Sequence, residues 1–339
     1  MKKVFSLILA LGLIASLTAC GGGNASGNET GDSAPAASTA KLRFVTGGES
    51  GTYYAFGSVI AQHATNNTDV SVTGLVGNGS KSNVEELADG NAELAFCQSD
   101  VMAYAYNGTN LFENPIDCFS TVAALYMEDV QIVTTDPSIK TVADLAGKNV
   151  SVGAAGSGVY FNAVDILSAY GLGDLDADGK FTKINATYQS FGDSADSLKD
   201  GKIDAAFLCA GAPTPAVTEL AASKTVYMIG FDDAHIEKLL ASCPWYAKLV
   251  LPAGTYTGFD EDCATVTVKA TLVCRADLDD DTAYTIVKTI MESKDDIAAL
   301  HEKGNSIDLT FATEGIAVPF AAGAAKYFAE NGITVETAG

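Results

Sequence analysis

Arginine is almost missing from this chain. Of 339 residues only Arg43 and Arg275 carry a guanidinium, so a bidentate arginine clamp on an anionic ligand is possible at those two positions alone. Basic residues are scarce as a class: 20 Lys and Arg stand against 42 Asp and Glu, a net charge of −22. Nucleic acid and anionic lipid surfaces are therefore poor partners, since both would be repelled. Histidine is limited to His63, His235 and His301, with His63 and His301 on helical stretches among polar residues, as solvated histidines usually are. HExxH and GxSxG are both absent, which removes the commonest zinc- and serine-hydrolase signatures, and the chain reads as a non-enzyme with no metal and no cofactor. No CxxC pair occurs, and beyond the first twenty residues no uncharged apolar run reaches the roughly 20 residues that cross a bilayer.

What is present begins at the N-terminus. Lys2 and Lys3 precede an apolar run from Val4 to Leu17, closed by Leu17-Thr18-Ala19-Cys20. A basic start, a short apolar core and small residues before a cut make residues 1–19 a signal peptide. Leu-Thr-Ala-Cys also resembles the bacterial lipobox, which makes Cys20 the lipid-modified first residue of the exported protein. Removing residues 1–19 takes away two lysines and no acid, which brings the charge to −24. Residues 20–40 continue as Gly, Ser, Ala, Asn and Thr with little to bury, the composition of a flexible tether. The expected location is the outer face of the cell membrane, or the periplasm. Six further cysteines are Cys97, Cys118, Cys209, Cys243, Cys263 and Cys274; several sit in apolar runs, and mostly free, buried thiols are expected.

The body alternates short apolar runs with helical stretches, the pattern of an α/β fold. Two cycles of this pattern, one from Lys41 and one from Thr141, suggest two lobes. The apolar stretches 119–134 and 265–274 are long enough to cross between them, with hinges near 130–135 and 265–275. Lobe 1 is then 41–133 plus 265–339, and lobe 2 is 134–264. Three glycine-rich turns follow strands and open helices: Gly47 to Tyr53, Gly77 to Ser80, and Gly153 to Gly158. Helix starts of this kind present unpaired N–H groups and partial positive charge, and so can hold carboxylates without arginine. Nucleotide readings fail on detail: Gly79-Ser80-Lys81-Ser82 puts serine where a phosphate loop needs glycine, and the third turn lacks GxGxxG spacing.

The ordered series Gly51-Thr52-Tyr53-Tyr54, Gly79-Ser80-x-x-Asn83, Gln98-Ser99-Asp100, Gly156-Ser157-Gly158, Ser190-Phe191-Gly192-Asp193 and Pro213-Thr214-Pro215-Ala216 resembles the TAXI family. These are the solute-binding subunits of tripartite ATP-independent periplasmic (TRAP) transporters. The resemblance covers nearly the whole body. It implies a two-lobed type II periplasmic-binding-protein fold with a central cleft, closing on a small carboxylate such as glutamate or a dicarboxylic acid and delivering it to a membrane permease. Carried over by position, the ligand contacts are Ser50, Thr52 and Tyr53; Gly79, Ser80 and Asn83; Gln98 and Ser99; Gly156, Ser157 and Gly158; Phe191 and Gly192; and Pro213 and Thr214. Tyr160 stands close to a position where the family often has threonine, and is expected to reshape the pocket. A monomer is expected. Whether the partner is a TRAP permease or a membrane signalling protein is left open by the residues.

One motif lies outside that pattern. Asp174-x-Asp176-x-Asp178-Gly179 has the spacing of the first half of an EF-hand loop, but Asn185 stands at the twelfth place where a bidentate glutamate is needed. An acidic surface turn is the preferred reading over calcium binding.

Overall fold

The computed structural model describes residues 40–338. The expected signal peptide, Cys20 and nearly all of the tether lie outside the described residues. In chain order the body opens with β1 (Lys41–Val45), α1 (Thr52–Asn67), β2 (Ser71–Leu75), α2 (Ser80–Ala88), β3 (Leu94–Gln98) and α3 (Ser99–Asn107). A long strand, β4 (Phe119–Thr134), leads to β5 (Asn149–Ser151), α4 (Gly158–Ala169), β6 (Asn185–Thr187), α5 (Phe191–Lys199), β7 (Ala205–Ala210) and α6 (Pro215–Ala221). β8 (Tyr227–Met228), α7 (Asp233–Ser242) and β9 (Ala247–Leu251) precede a second long strand, β10 (Cys263–Arg275). The chain closes with α8 (Asp280–Glu292), α9 (Lys294–Leu300), α10 (Leu309–Thr313) and α11 (Ala322–Glu330).

The strands form one mixed sheet in the order β2-β1-β3-β10-β4-β7-β5-β6, with β8 added to β4 and β9 to β10. Each end is a parallel trio, β2-β1-β3 and β7-β5-β6. The middle is the antiparallel pair β10 and β4, which binds the two trios together. β3 is buried at every position, as parallel strands covered on both faces are. α1 buries Tyr53, Phe56, Ile60 and Ala64 at three- and four-residue spacing and lays that stripe on β1 and β3.

Each trio carries two apolar clusters, and the larger of each pair form the two main cores. One includes Phe44, Phe96 and Tyr126 and takes up β10 again from Ala270; the other runs from Val130 to Val268. β4 therefore passes from core to core between Tyr126 and Val130, a few residues before the stretch expected to hinge. β10 returns between Val268 and Ala270. The cores also meet directly: Phe161 of α4 is fully buried in a first-lobe cluster, its ring 6.0 Å from Tyr104 and 5.4 Å from Phe112. Burying such a ring contributes roughly 1.5–3 kcal/mol to holding the halves together.

Several sequence expectations need correction. Ala186 to Phe191 reads as one strand, yet β6 stops at Thr187 and Phe191 opens α5. Ser190 is the reason: its side chain accepts the Asp193 N–H at 3.2 Å and starts the helix early. α3 is missing from the sequence reading, although Gln98-Ser99 starts it. The cysteine expectation holds: the six within the described residues are all free, and four of them are buried. The 174–179 loop secures itself: Asp176 Oδ1 accepts the N–H groups of Asp178 and Lys180, both at 2.9 Å, and Asp174 pairs with Lys183 at 2.8 Å. Among the described residues no group of three His, Cys, Asp or Glu side chains is placed to hold a metal ion. His301 is not solvated as expected; it lies 5.2 Å from the Phe56 ring, and burial pushes its imidazole pKa down.

Candidate functional site

A cavity of about 370 Å³ opens between the two cores. Five helices begin on its wall. The residues preceding their first turns, Gly51 of α1, Gly79 of α2, Gln98 of α3, Ser157 of α4 and Ser190 of α5, all line it. Three helices come from one lobe and two from the other, so their positive ends converge on one space. The first three have no side-chain cap, whereas Ser157 and Ser190 accept N–H groups of their own helices.

The halves touch around this space. Ser82 N donates to Gly156 O at 2.9 Å, and Thr52 Oγ1 donates to Gly211 O at 2.9 Å. Glycine permits the closest approach. Gly79, at φ +100°, lies where a Cβ would come within 3.2 Å of Ser157 Cα, and a Cβ on Gly158 would overlap the Gln98 amide. Behind the cavity a polar network crosses the same boundary. Asn162 Nδ2 of α4 donates to Asp100 Oδ2 of α3 at 2.9 Å and to the Tyr246 hydroxyl at 2.8 Å. Tyr104 and Asn110 donate to Asp165 at 3.0 Å each. Burial, and for Asp100 the neighbouring Asp165, raises these carboxyls to about 7 for Asp100 and about 6 for Asp165.

Among the described residues no Lys, Arg or His lies on the cavity wall; its acidic side chains are Glu49 at the exposed rim and Glu128 at the floor. Both arginines are committed elsewhere. Arg43 holds Glu93 through its guanidinium at 2.5 and 3.1 Å, and Arg275 reaches the same carboxylate at 3.5 Å. Glu128 is 2% exposed and sits where β4 passes between cores. Tyr53 donates its hydroxyl to Glu128 Oε2 at 2.8 Å. Burial raises the Glu128 carboxyl to about 8, against the opposing pull of the Tyr53 hydrogen bond. Cys209 also lines the cavity, but burial and the nearby Glu128 carboxyl push its thiol pKa well up, and it lacks the thiolate character a nucleophile needs.

A family model described as the NMT1-like family matches residues 44–332. The chain belongs to the NMT1-like family. Among solved structures it is similar to a protein of Bordetella bronchiseptica RB50 at 15% identity, over 86% of this chain and 89% of that one, with a TM-score of 0.51. It is also similar to the alkanesulfonate-binding protein SsuA of Xanthomonas axonopodis pv. citri, solved bound to MOPS, at 15% identity (87% and 85% covered, TM-score 0.46). The GluR0 ligand-binding core of Nostoc punctiforme, solved with L-glutamate, matches at 14% identity (77% and 98% covered, TM-score 0.48). The fold of this NMT1-like chain is the two-lobed α/β type II periplasmic-binding-protein fold with a mixed sheet and flanking helices.

Of the residues singled out from the sequence, Ser50, Thr52, Tyr53, Gly79, Ser80, Gln98, Ser157, Gly158, Phe191 and Gly192 line the cavity of this NMT1-like protein. Asn83, Ser99, Gly156, Pro213 and Thr214 are not on its wall. Asn83 lies behind it, with Nδ2 donating to Thr46 O at 2.6 Å and Phe96 O at 2.8 Å, which ties α2 to the ends of β1 and β3. Ser99 Oγ accepts the Lys269 N–H at 3.0 Å, a contact to the β10 crossing. Gly156 serves the bridge to Ser82. Thr214 is held by Gln131 at 2.9 Å and by the Tyr256 hydroxyl at 2.8 Å, and Pro213 is exposed. Tyr160 turns away from the cavity: its ring meets Phe181 and Tyr188 edge-on, and its hydroxyl donates to Gly179 O at 3.4 Å. Glu128 was missed by sequence reasoning. Its only signal is a Glu-Asp pair interrupting a long apolar strand.

Proposed function

We propose that this protein is an extracytoplasmic receptor, lipid-anchored through Cys20, that binds a small carboxylate by closing lobe 1 (41–133 plus 265–339) on lobe 2 (134–264) and delivers it to a TRAP-type membrane permease. Its chemistry is binding without turnover. The observation that carries this reading is the convergence of five helix starts, from both lobes, on one cavity that lacks any cationic side chain. Backbone N–H groups and the hydroxyls of Ser50 and Ser80 are the donors available to an anion there. The close approaches across the cavity at Gly79 and Gly158 explain why an occupant would be enclosed by both halves. The TAXI resemblance of the sequence supplies the permease as the partner.

The test is thermal unfolding of the purified protein against a panel of small mono- and dicarboxylic acids and amino acids, beside mass spectrometry of any small molecule that it retains. An acid at about 100 times its Kd is expected to add about 2.7 kcal/mol to stability, a rise of several degrees for a body this size. A flat response across the panel, with no acid retained, would refute the reading.

A further inference from the structure

We infer that Glu128 selects the ligand: it receives a protonated amine, so that the cavity takes zwitterions such as amino acids in preference to dicarboxylates, an inference that rests on the carboxylate-receptor reading above. The cavity has two electrically distinct regions. Helix starts around the wall supply N–H donors, whereas the floor supplies acceptors. Glu128 accepts the Tyr53 hydroxyl at 2.8 Å and is within reach of the Gln98 side chain, whose oxygen is buried without a partner. An ammonium offers three donors to that pair of acceptors. A second carboxylate set on the floor would instead face the Glu128 carboxyl itself, with only the neutral donors there to hold it: the Tyr53 and Tyr126 hydroxyls, the Gln98 amide and the proton of Glu128.

The surroundings of Glu128 favour the same assignment. Tyr53 faces it from α1, Cys97 and Gln98 from β3, Asp100 from α3, Tyr126 and Asp129 along β4, and Cys209 from β7. Every one of these groups is neutral or acidic. Among the described residues the nearby cation is Lys303, which acts on Asp129 and donates to Ala212 O at 2.5 Å, and none is among the groups acting on Glu128; at neutral pH the carboxyl keeps its proton, since burial holds its pKa near 8. Arrival of an ammonium reverses the preference. The Glu128 O–H bond breaks, the proton leaves to solvent, and the carboxylate pairs with the ammonium, which stays protonated. Below about pH 8 binding should thus release about one proton.

The experiment screens L-amino acids, their 2-oxo and desamino counterparts and short dicarboxylates against the full chain at pH 7, and follows hits by calorimetry in phosphate and in Tris. An amino acid is expected to bind roughly 100-fold tighter than its desamino counterpart, because an unpaired buried acceptor pair is left without it. Its apparent heat should differ between the buffers by about one proton released. Glu128→Gln is expected to fold at least as stably without ligand, to lose roughly 100-fold in amino-acid affinity and to release no proton, with Glu128→Asp recovering part of the release. A dicarboxylate or desamino acid binding as tightly as any amino acid would overturn this inference while upholding the receptor. Undiminished amino-acid binding by Glu128→Gln would overturn it too. No binding by any acid would overturn both.

Discussion

Gly158→Ala separates lobe closure from lobe stability. The added Cβ would overlap the Gln98 side-chain amide and come within 2.8 Å of Ser80 Oγ, and both of those groups belong to the opposite lobe. Gln98 cannot easily move aside, because it is 2% exposed and its own N–H is tied to Ser80 Oγ at 3.0 Å. Within its own lobe the substitution is benign: Gly158 is the first residue of α4, its backbone needs no left-handed conformation, and alanine is the better helix former. The penalty therefore falls on the arrangement with the halves in contact. Overpacking of this kind costs about 1–3 kcal/mol, which lowers affinity by roughly 5- to 150-fold if binding requires closure. Calorimetry with whichever acid stabilises the wild type measures the affinity, and thermal unfolding without ligand measures the stability. Unchanged affinity would refute the closure argument. Equal losses in affinity and in unliganded stability would show that the clash lies within a lobe.

Two further outcomes follow from buried polar groups. Asp100, Asp165 and Glu128 have folded pKa values of about 7, 6 and 8, all above their unfolded values. The folded state thus binds more protons, so the stability these groups contribute is complete below about pH 4 and is lost as pH rises through 6–8. The melting temperature without ligand should fall between pH 5.5 and 8.5, less steeply in Glu128→Gln; a rise across that window would contradict the assignment. Asn83→Ala removes two buried hydrogen bonds and orphans the Thr46 and Phe96 carbonyls. It should cost about 2–3 kcal/mol in urea unfolding, whereas a neutral result would show that Asn83 does not brace the strand ends.

The elements that repeat were legible in the sequence because their signals are local. Gly79-Ser80 and Ser157-Gly158 mark helix starts by turn chemistry, and Thr141 with Asp144 forms the capping box their spacing implies. The two-lobe architecture followed from the two cycles of strand and helix. The features that escaped are those where tertiary context overrides the local pattern. α3 buries the polar Ser99 and Asp100 beside Val101, Met102, Ala103 and Ala105, so its buried positions are not marked out by apolar residues. Tyr160 looked like a pocket residue from its neighbours in sequence, but the helical turn at Gly158 aims it at Phe181 and Tyr188. Asn83 and Thr214 stand in binding motifs, yet each sits one layer behind the wall, where sequence position cannot separate a contact from its brace. Glu128 was hidden for the opposite reason. A carboxylate within a strand reads as an exposed position until the fold shows that both faces of β4 are covered.

The want of arginine and the location of the helix starts bear on each other. An arginine clamp would carry its own charge whether or not a ligand is bound, and in a buried cavity that charge would need a partner. Partial charges at helix starts need none, because they are distributed over backbone dipoles. The cost is instead left at the uncapped ends, and it is unevenly shared. α4 and α5 spend the hydroxyls of Ser157 and Ser190 on their own N–H groups, while α1, α2 and α3 have no side chain doing so. A cap is worth roughly 0.5–2 kcal/mol to a helix, so a carboxylate that takes this place stabilises lobe 1 more than lobe 2. On the proposed function, lobe 1 would gain by holding the anion before closure, and lobe 2, whose helices are already capped, would contribute chiefly by enclosing it. The same asymmetry would leave lobe 2 free to swing without exposing unsatisfied helix ends, which the proposed receptor would need in order to release what it binds.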